Sequence, residues 1–295
     1  MNRLKIPQIN KIKDSLKIFL LFIHHILILE KINKKVYTLY KIMKGNMKME
    51  KFFDAHTHLQ MMKNLSEEMD KAREKGVEYF ICNSTSPADW NRVLEISKAY
   101  KGVYVCFGVH PHYVENLPAD WLEKLEGMLN LDKKIMVGEI GLDKKKTNLE
   151  FQKKVFREQL ILANKLKRPA HIHCVGCWGM LLGVFEDLKK DDLMPPKILL
   201  HSHHGSKELI PELMKKYNAY FSYSSIFVPM EHPKVQACLK STPLDRLLIE
   251  SDAPDLTPSP ADIPDLMKKM GVITGHSVAD LKKAIYKNAK DFVNG

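Results

Sequence analysis

The stretch "KFFDAHTHLQ", residues 51 to 60, sets Asp54, His56 and His58 at alternate positions directly behind two phenylalanines. In a strand, residues two apart share a face, so all three polar groups turn the same way. Three such groups on a buried face are costly unless something binds them. Imidazole and carboxylate together are metal ligands suited to zinc, iron, manganese or cobalt, and to magnesium where fewer nitrogens take part. Five further stretches carry the same residue types. "GVHPH" holds His110 and His112, "GEIG" Glu139, "HIHC" His171 and His173, "HSHHG" His201, His203 and His204, and "ESDAP" Glu250 and Asp252. Taken singly, each has a plainer reading: a hydrogen-bonded structural histidine, a turn glutamate between glycines, an aspartate capping a helix. Nine of the 13 histidines lie in these stretches, and that coincidence favours one metal centre over separate accidents. One Glu, one Asp and four candidate His exceed what a single catalytic ion with an open position needs. Two ions about 3.5–4 Å apart, sharing a bridging carboxylate, use them better, and that arrangement serves hydrolysis.

The elements that must position these groups are legible as eight apolar runs: "KFFDAHTH", "EYFICNST", "GVYVCFGVH", "KIMVGEIG", "RPAHIHC", "KILLHSH", "AYFSYSS" and "RLLIESD". Near-continuous apolar runs suit parallel strands covered on both faces. Between them lie helical patterns near residues 87–100, 206–217 and 277–293. The clearest is "NLEFQKKVFREQLILANKLK", in which Phe151, Val155, Phe156, Leu160, Leu162 and Ala163 recur at helical spacing. Alternating strands and helices define an α/β protein, and eight pairs in this length predict a single-domain (β/α)8 TIM barrel. A doubly wound open sheet is the runner-up, but "DAHTHLQ" lacks the Gly-rich turn that such a sheet commonly places after its first strand. In a barrel the strands' C-terminal ends form the active face, and every stretch named above falls at such an end.

Composition allows this and narrows it. The 295 residues are 45% hydrophobic and 27% charged, ordinary for a globular enzyme. The net charge of +11 would suggest a nucleic-acid partner, but residues 1–50 hold 11 Lys and Arg against three Asp and Glu. The remainder is therefore only weakly basic, and overall charge says little about DNA. Five cysteines form no paired framework and fit reduced thiols in a cytoplasmic protein. Cys174 and Cys177 are read as packing beside the site rather than as a redox pair. Residues 1–48 form a basic and apolar extension unlike the rest, preceding a domain at 49–295. Its apolar stretch, 18–29, is shorter than the roughly 20 residues of a transmembrane helix, and no signal-peptide cleavage site follows it. Three readings compete: an amphipathic anchor, a helix packed on the domain, or translated upstream sequence with the start at Met47 or Met49. The last is preferred.

The stretches "FFDAHTHL", "GVHPH", "MVGEIGLD", "RPAHIHC", "KILLHSHHGS" and "LLIESDAPDL", with "KNAKDFV" near the end, resemble in order and spacing the TatD family of metal-dependent hydrolases, a branch of the amidohydrolase superfamily. The resemblance covers roughly residues 51–293. It implies two divalent metal ions, of Mg, Mn or Zn type. His56 and His58 would bind the first, with Asp252 beside it; Glu139 would contact both; His173 and His201 would bind the second. Asp252 would also accept or orient a proton of the attacking water, making it and Glu139 the catalytic carboxylates. Asp54 is expected to orient a ligand imidazole from behind, His171 is an extra residue facing the same way as His173, and His110 and His112 would lie at the substrate edge.

The activity implied is phosphodiester hydrolysis, trimming single-stranded DNA or DNA ends as an exonuclease. No stable protein partner is evident. Three departures bear on the substrate. The arginine often found two residues after the strand-five histidine is replaced by Val175, the strand-six aromatic by His203, and the residue after "GLD" by Lys144, first of three lysines able to hold a phosphate backbone. Lys144 and His203 thus join the expected substrate contacts. The alternative keeps the metals and changes the bond, to a small ester, amide or lactone. A nucleic-acid or membrane-binding module led by the basic N-terminus would leave the strand-end ligands unexplained.

Overall fold

The structure, a computed structural model, describes residues 51–228 and 232–294. The expected extension at 1–48 lies outside the described residues. Eight strands, β1 (Phe52–Thr57), β2 (Val77–Asn83), β3 (Val103–Phe107), β4 (Met136–Asp143), β5 (Ala170–Val175), β6 (Ile198–Leu200), β7 (Ala219–Tyr223) and β8 (Leu247–Ile249), stand in sequence order in one sheet. Every neighbouring pair from β1 to β8 is parallel. The intervening helices are α1 (Leu65–Glu74), α2 (Trp90–Ala99), α3 (Trp121–Leu129), α4 (Leu149–Lys165), α5 (Trp178–Lys190), α6 (Ile210–Tyr217) and α7 (Pro233–Ser241), and α8 (Ile263–Thr274) and α9 (Val278–Val293) follow β8. This is the (β/α)8 barrel. No described helix is long and apolar enough to cross a membrane.

The seam between β8 and β1 is closed by polar groups just beyond β8. The Asp54 carboxylate accepts the Ser251 N–H at 2.9 Å and its hydroxyl at 2.5 Å. Asp252 N–H donates to His56 O at 2.9 Å, and His58 N–H to Ala253 O at 2.8 Å. Asp54 therefore braces the barrel wall and does not orient a ligand imidazole, as the sequence suggested; among the described residues its carboxylate accepts from the His56 and Ser251 backbone N–H groups and from the Ser251 hydroxyl. Burial pushes this carboxyl up to about 8 against those hydrogen bonds. At the opposite mouth α9 shuts the interior: Phe292 packs edge-on to His171 and Tyr220, and Asn288 donates to Leu244 O and Leu247 O.

β4 is buried along its whole length, as a strand covered on both faces must be. It runs so close to β5 that a Cβ on Gly141 would stand 1.9 Å from His173 O, so no larger residue fits there. Helix α4 departs from its apolar reading at one position. Phe151 is exposed, while Gln152 and Gln159 are buried among the apolar side chains. Both glutamines hold active-face loops. Gln159 accepts the Val109 N–H at 2.7 Å and donates to Val109 O at 3.1 Å, pinning the segment that carries His110. Gln152 accepts the Asp143 N–H at 2.9 Å. Removing one such partner leaves buried backbone groups unpaired, at a cost of about 1–3 kcal/mol. Gln159→Ala is accordingly expected to lower Tm by roughly 2–12 °C, at about 2–4 °C per kcal/mol for a domain of this size. Phe151→Ser should change it little; equal effects in a thermal melt would refute this division of α4.

Candidate metal centre

Glu139, 2% exposed, lies at the centre of the active face, and its two oxygens look in different directions. Oε2 faces β1: His58 Nε2 at 3.2 Å and His56 Nε2 at 3.4 Å. Oε1 faces β5 and β6: His201 Nε2 at 2.7 Å and His173 Nδ1 at 2.9 Å, with His110 Nε2 at 3.4 Å. Asp252 Oδ1 completes the first half, 3.4 Å from His58 Nε2 and 3.7 Å from His56 Nε2. Asp252 reaches this point from a left-handed backbone, φ 49°, which Asp adopts more readily than most residues.

Nitrogen faces nitrogen on each side: His56 Nε2 and His58 Nε2 are 3.3 Å apart, His173 Nδ1 and His201 Nε2 3.0 Å. Neutral imidazoles arranged so oppose lone pairs unless a proton or a cation lies between them. The electrostatics ask for positive charge. Burial pushes His58 and His201 down, yet the carboxylates of Glu139, Asp252 and Glu250 outweigh it and hold both well above the usual histidine range. Burial pushes Glu139 up, and the surrounding imidazoles carry it well below the usual carboxylate range; Asp252 falls likewise to about 2. Ionised carboxylates and convergent imidazoles fit a divalent ion of the zinc or manganese kind. Four overlapping groups among the described residues meet the spacing a metal needs around Glu139 and Asp252: His56, His58 and Glu139; His110, Glu139 and His173; His56, His201 and Asp252; His58, Asp252 and Asp255.

Three of the ligand-candidate imidazoles are held from behind. Asn83 O accepts from His58 Nδ1 at 2.8 Å. Glu250 Oε1 lies 3.4 Å from His201 Nδ1 and is itself bonded by the Ser222 hydroxyl. Asp143 Oδ2 lies 2.6 Å from His112 Nε2 and 3.4 Å from His173 Nε2. Such contacts fix tautomer and ring orientation. Sequence reasoning assigned nothing to Asp143, although its parity with Glu139 and Gly141 along β4 was a usable signal. Asn83 acts through its backbone and left none. Asp255 was also missed; it is exposed and its carboxylate falls within reach of His58 and Asp252.

A cavity of about 720 Å³ opens over the centre, lined by His112, Asp143, Lys145, His204, Lys234 and Leu256 among others. His112 is at this edge as expected, but His110 is buried against Glu139 instead. Two further expected substrate contacts are corrected. β6 ends at Leu200, and Ser202 turns with φ 43°, so strand parity no longer carries from His201 to His203. His203 is fully buried among Trp178, Phe221 and Tyr223. Lys144 packs toward Gly176, and Lys145 lines the cavity in its place. Cys174 and Cys177 are free and buried, with Cys174 in the cavity wall.

Fold and site together define a metal-dependent hydrolase on a (β/α)8 barrel. The chain belongs to the TatD related DNase family, which it matches over residues 53–294. It is 30% identical over 213 residues to YabD of Bacillus subtilis, an uncharacterized metal-dependent hydrolase, covering 70% of this chain and 82% of that one. It is 30% identical over 202 residues to TatD of Cronobacter turicensis, a 3'-5' ssDNA/RNA exonuclease, covering 65% of this chain and 74% of that one. The crystal structure of YjjV, a TatD homolog from Escherichia coli, shares the fold with a TM-score of 0.76 at 23% identity, covering 84% of this chain and 99% of that one.

Adding Mn²⁺ or Zn²⁺ to chelator-treated protein is expected to raise Tm. At a free concentration 100 times Kd the gain is about 2.7 kcal/mol per site. Glu139→Ala, which removes the group shared by both halves, should abolish most of that rise. A wild-type melt indifferent to either metal would contradict the fit.

Proposed function

We propose that this chain is a divalent-metal phosphodiesterase that trims DNA ends, single strands above all. His56, His58, Glu139 and Asp252 would hold one ion, and Glu139, His173 and His201 a second. The observation that carries this reading is the division of Glu139, one oxygen toward the β1 imidazoles and the other toward those of β5 and β6. Bound there, the ions would lower the pKa of an attacking water and neutralise charge on the phosphodiester.

The protein's own groups do the rest. Asp252 stays ionised down to about pH 2 and, at the cavity wall, is placed to orient and accept a proton of the attacking water. His112 stands at the mouth with its Nε2–H given to Asp143, which leaves the other nitrogen of the neutral ring as a hydrogen-bond acceptor toward the cavity. Lys145 and Lys234 flank the cavity and supply the positive charge that a phosphate backbone requires. The exonuclease named among the relatives supports this substrate class. One observation favours the alternative, a small ester, amide or lactone: Val175 lines the cavity at the position where an arginine clamp was expected.

The test is end-labelled single-stranded DNA with Mg²⁺ or Mn²⁺, and EDTA as control. Stepwise shortening that EDTA stops is expected. Glu139→Ala should abolish it, Asp252→Asn should slow it roughly 10²–10⁴-fold, and Cys177→Ser should leave it unchanged. Full activity in Glu139→Ala would overturn the assignment, and intact DNA with both metals would move the substrate to a small ester, amide or lactone. Lys145→Ala should raise KM for DNA and weaken its salt dependence, whereas Lys144→Ala should do neither; the reverse order would contradict the placement of the two lysines.

A further inference from the structure

Three of the four ligand-candidate imidazoles have their far nitrogen held: His58 by Asn83 O, His173 by Asp143, His201 by Glu250. His56 is the exception. Its Nε2 faces the centre, while its buried Nδ1 has no hydrogen-bond partner among the described residues. A ring held at one nitrogen only has neither its tautomer nor its orientation set from behind, and a dry, unpaired N–H costs about 1–3 kcal/mol.

Beside it lies a second unpaired group. His171, two residues before His173 on β5, is fully buried, and neither of its ring nitrogens has a partner among the described residues. Its ring centroid lies 5.8 Å from that of His56. Asn83 Oδ1, on β2, is buried and unpaired in the same way. Both residues crowd Gly138, where a Cβ would stand 2.6 Å from His171 Cβ and 3.2 Å from Asn83 Oδ1. Unpaired polar atoms from β1, β2 and β5 thus gather inside the barrel. No direct N–H···N bond joins the imidazoles of His56 and His171. The separation suits one bridging water, which needs two to four polar partners.

We propose that His171 is a positioning residue of the metal centre. Through one buried water shared with Asn83 Oδ1 it takes the Nδ1–H of His56, fixing the tautomer that turns Nε2 toward the ion. This rests on the reading of His56 as a ligand.

The test is Co²⁺ binding to the full chain, followed by visible absorption, together with thermal unfolding of the chelator-treated protein, for wild type, His171→Leu and His171→Gln. His171→Leu should weaken Co²⁺ binding by about 10–100-fold and alter the spectrum. Its metal-free Tm should hold or rise, because the His171 ring nitrogen that the water leaves unpaired is gone. His171→Gln, which keeps a polar group for the water, should recover most of the affinity. Wild-type affinity and spectrum in His171→Leu would overturn the proposal. So would equal losses in both variants with a fall in metal-free Tm, since that marks a packing residue. A wild type that binds no Co²⁺ overturns the ligand reading itself and this inference with it. Should His171→Leu fail to fold, Asn83→Ala removes the water's other partner: weakened Co²⁺ binding supports the proposal and unchanged binding overturns it.

Discussion

One carboxylate organises the active face. Glu139 is buried midway along β4, and its two oxygens serve opposite groups of imidazoles. An isolated charge in that position would be expelled or neutralised; here the surrounding imidazoles pull its pKa down despite burial. Each neighbouring histidine is in turn placed by the need to face Glu139. The tight approach of β4 to β5 at Gly141, which a side chain would prevent, brings His173 within reach. The barrel's geometry and the charge distribution of the site are thus solutions to the same problem.

A second constraint is the seam. Strand pairing from β1 to β8 leaves one join to be made, and the chain makes it with Asp54, Ser251 and two backbone hydrogen bonds that flank Asp252. The same bonds set Asp252 opposite His56 and His58. Closing the barrel and completing the first half of the centre are one structural event, which explains why a buried carboxylate is retained at Asp54 although burial raises its pKa to about 8. The loops after β3 and β4 are held from outside, by Gln159 and Gln152, so the catalytic face is braced from both its strands and its helices.

Much of this was readable in the chain. The alternation Asp54, His56, His58 follows from strand period, and His173 and Glu139 follow from their places in runs too apolar to be surface loops. What failed were substrate contacts carried over from the family resemblance to positions beyond the end of a strand. β6 stops at Leu200, so His203 turned into an aromatic pocket while His201 stayed at the centre. Lys144 and Lys145 sit in a turn where parity has no meaning. Phe151 looked like core by spacing, yet the helix buries two glutamines, because backbone groups of the loops needed partners more than α4 needed another apolar contact.

By itself, the sequence determined the order of eight strand–helix units and the side chains that terminate each strand, because local period and residue type are properties of neighbours in the chain. Only the tertiary structure decided which oxygen of Glu139 meets which imidazole, that Asp54 closes the wall, and that His56, alone of the four imidazoles, has no direct partner behind it among the described residues. Those facts depend on atoms brought together from strands up to about two hundred residues apart. Their contacts are set by barrel closure and register, which no local pattern encodes.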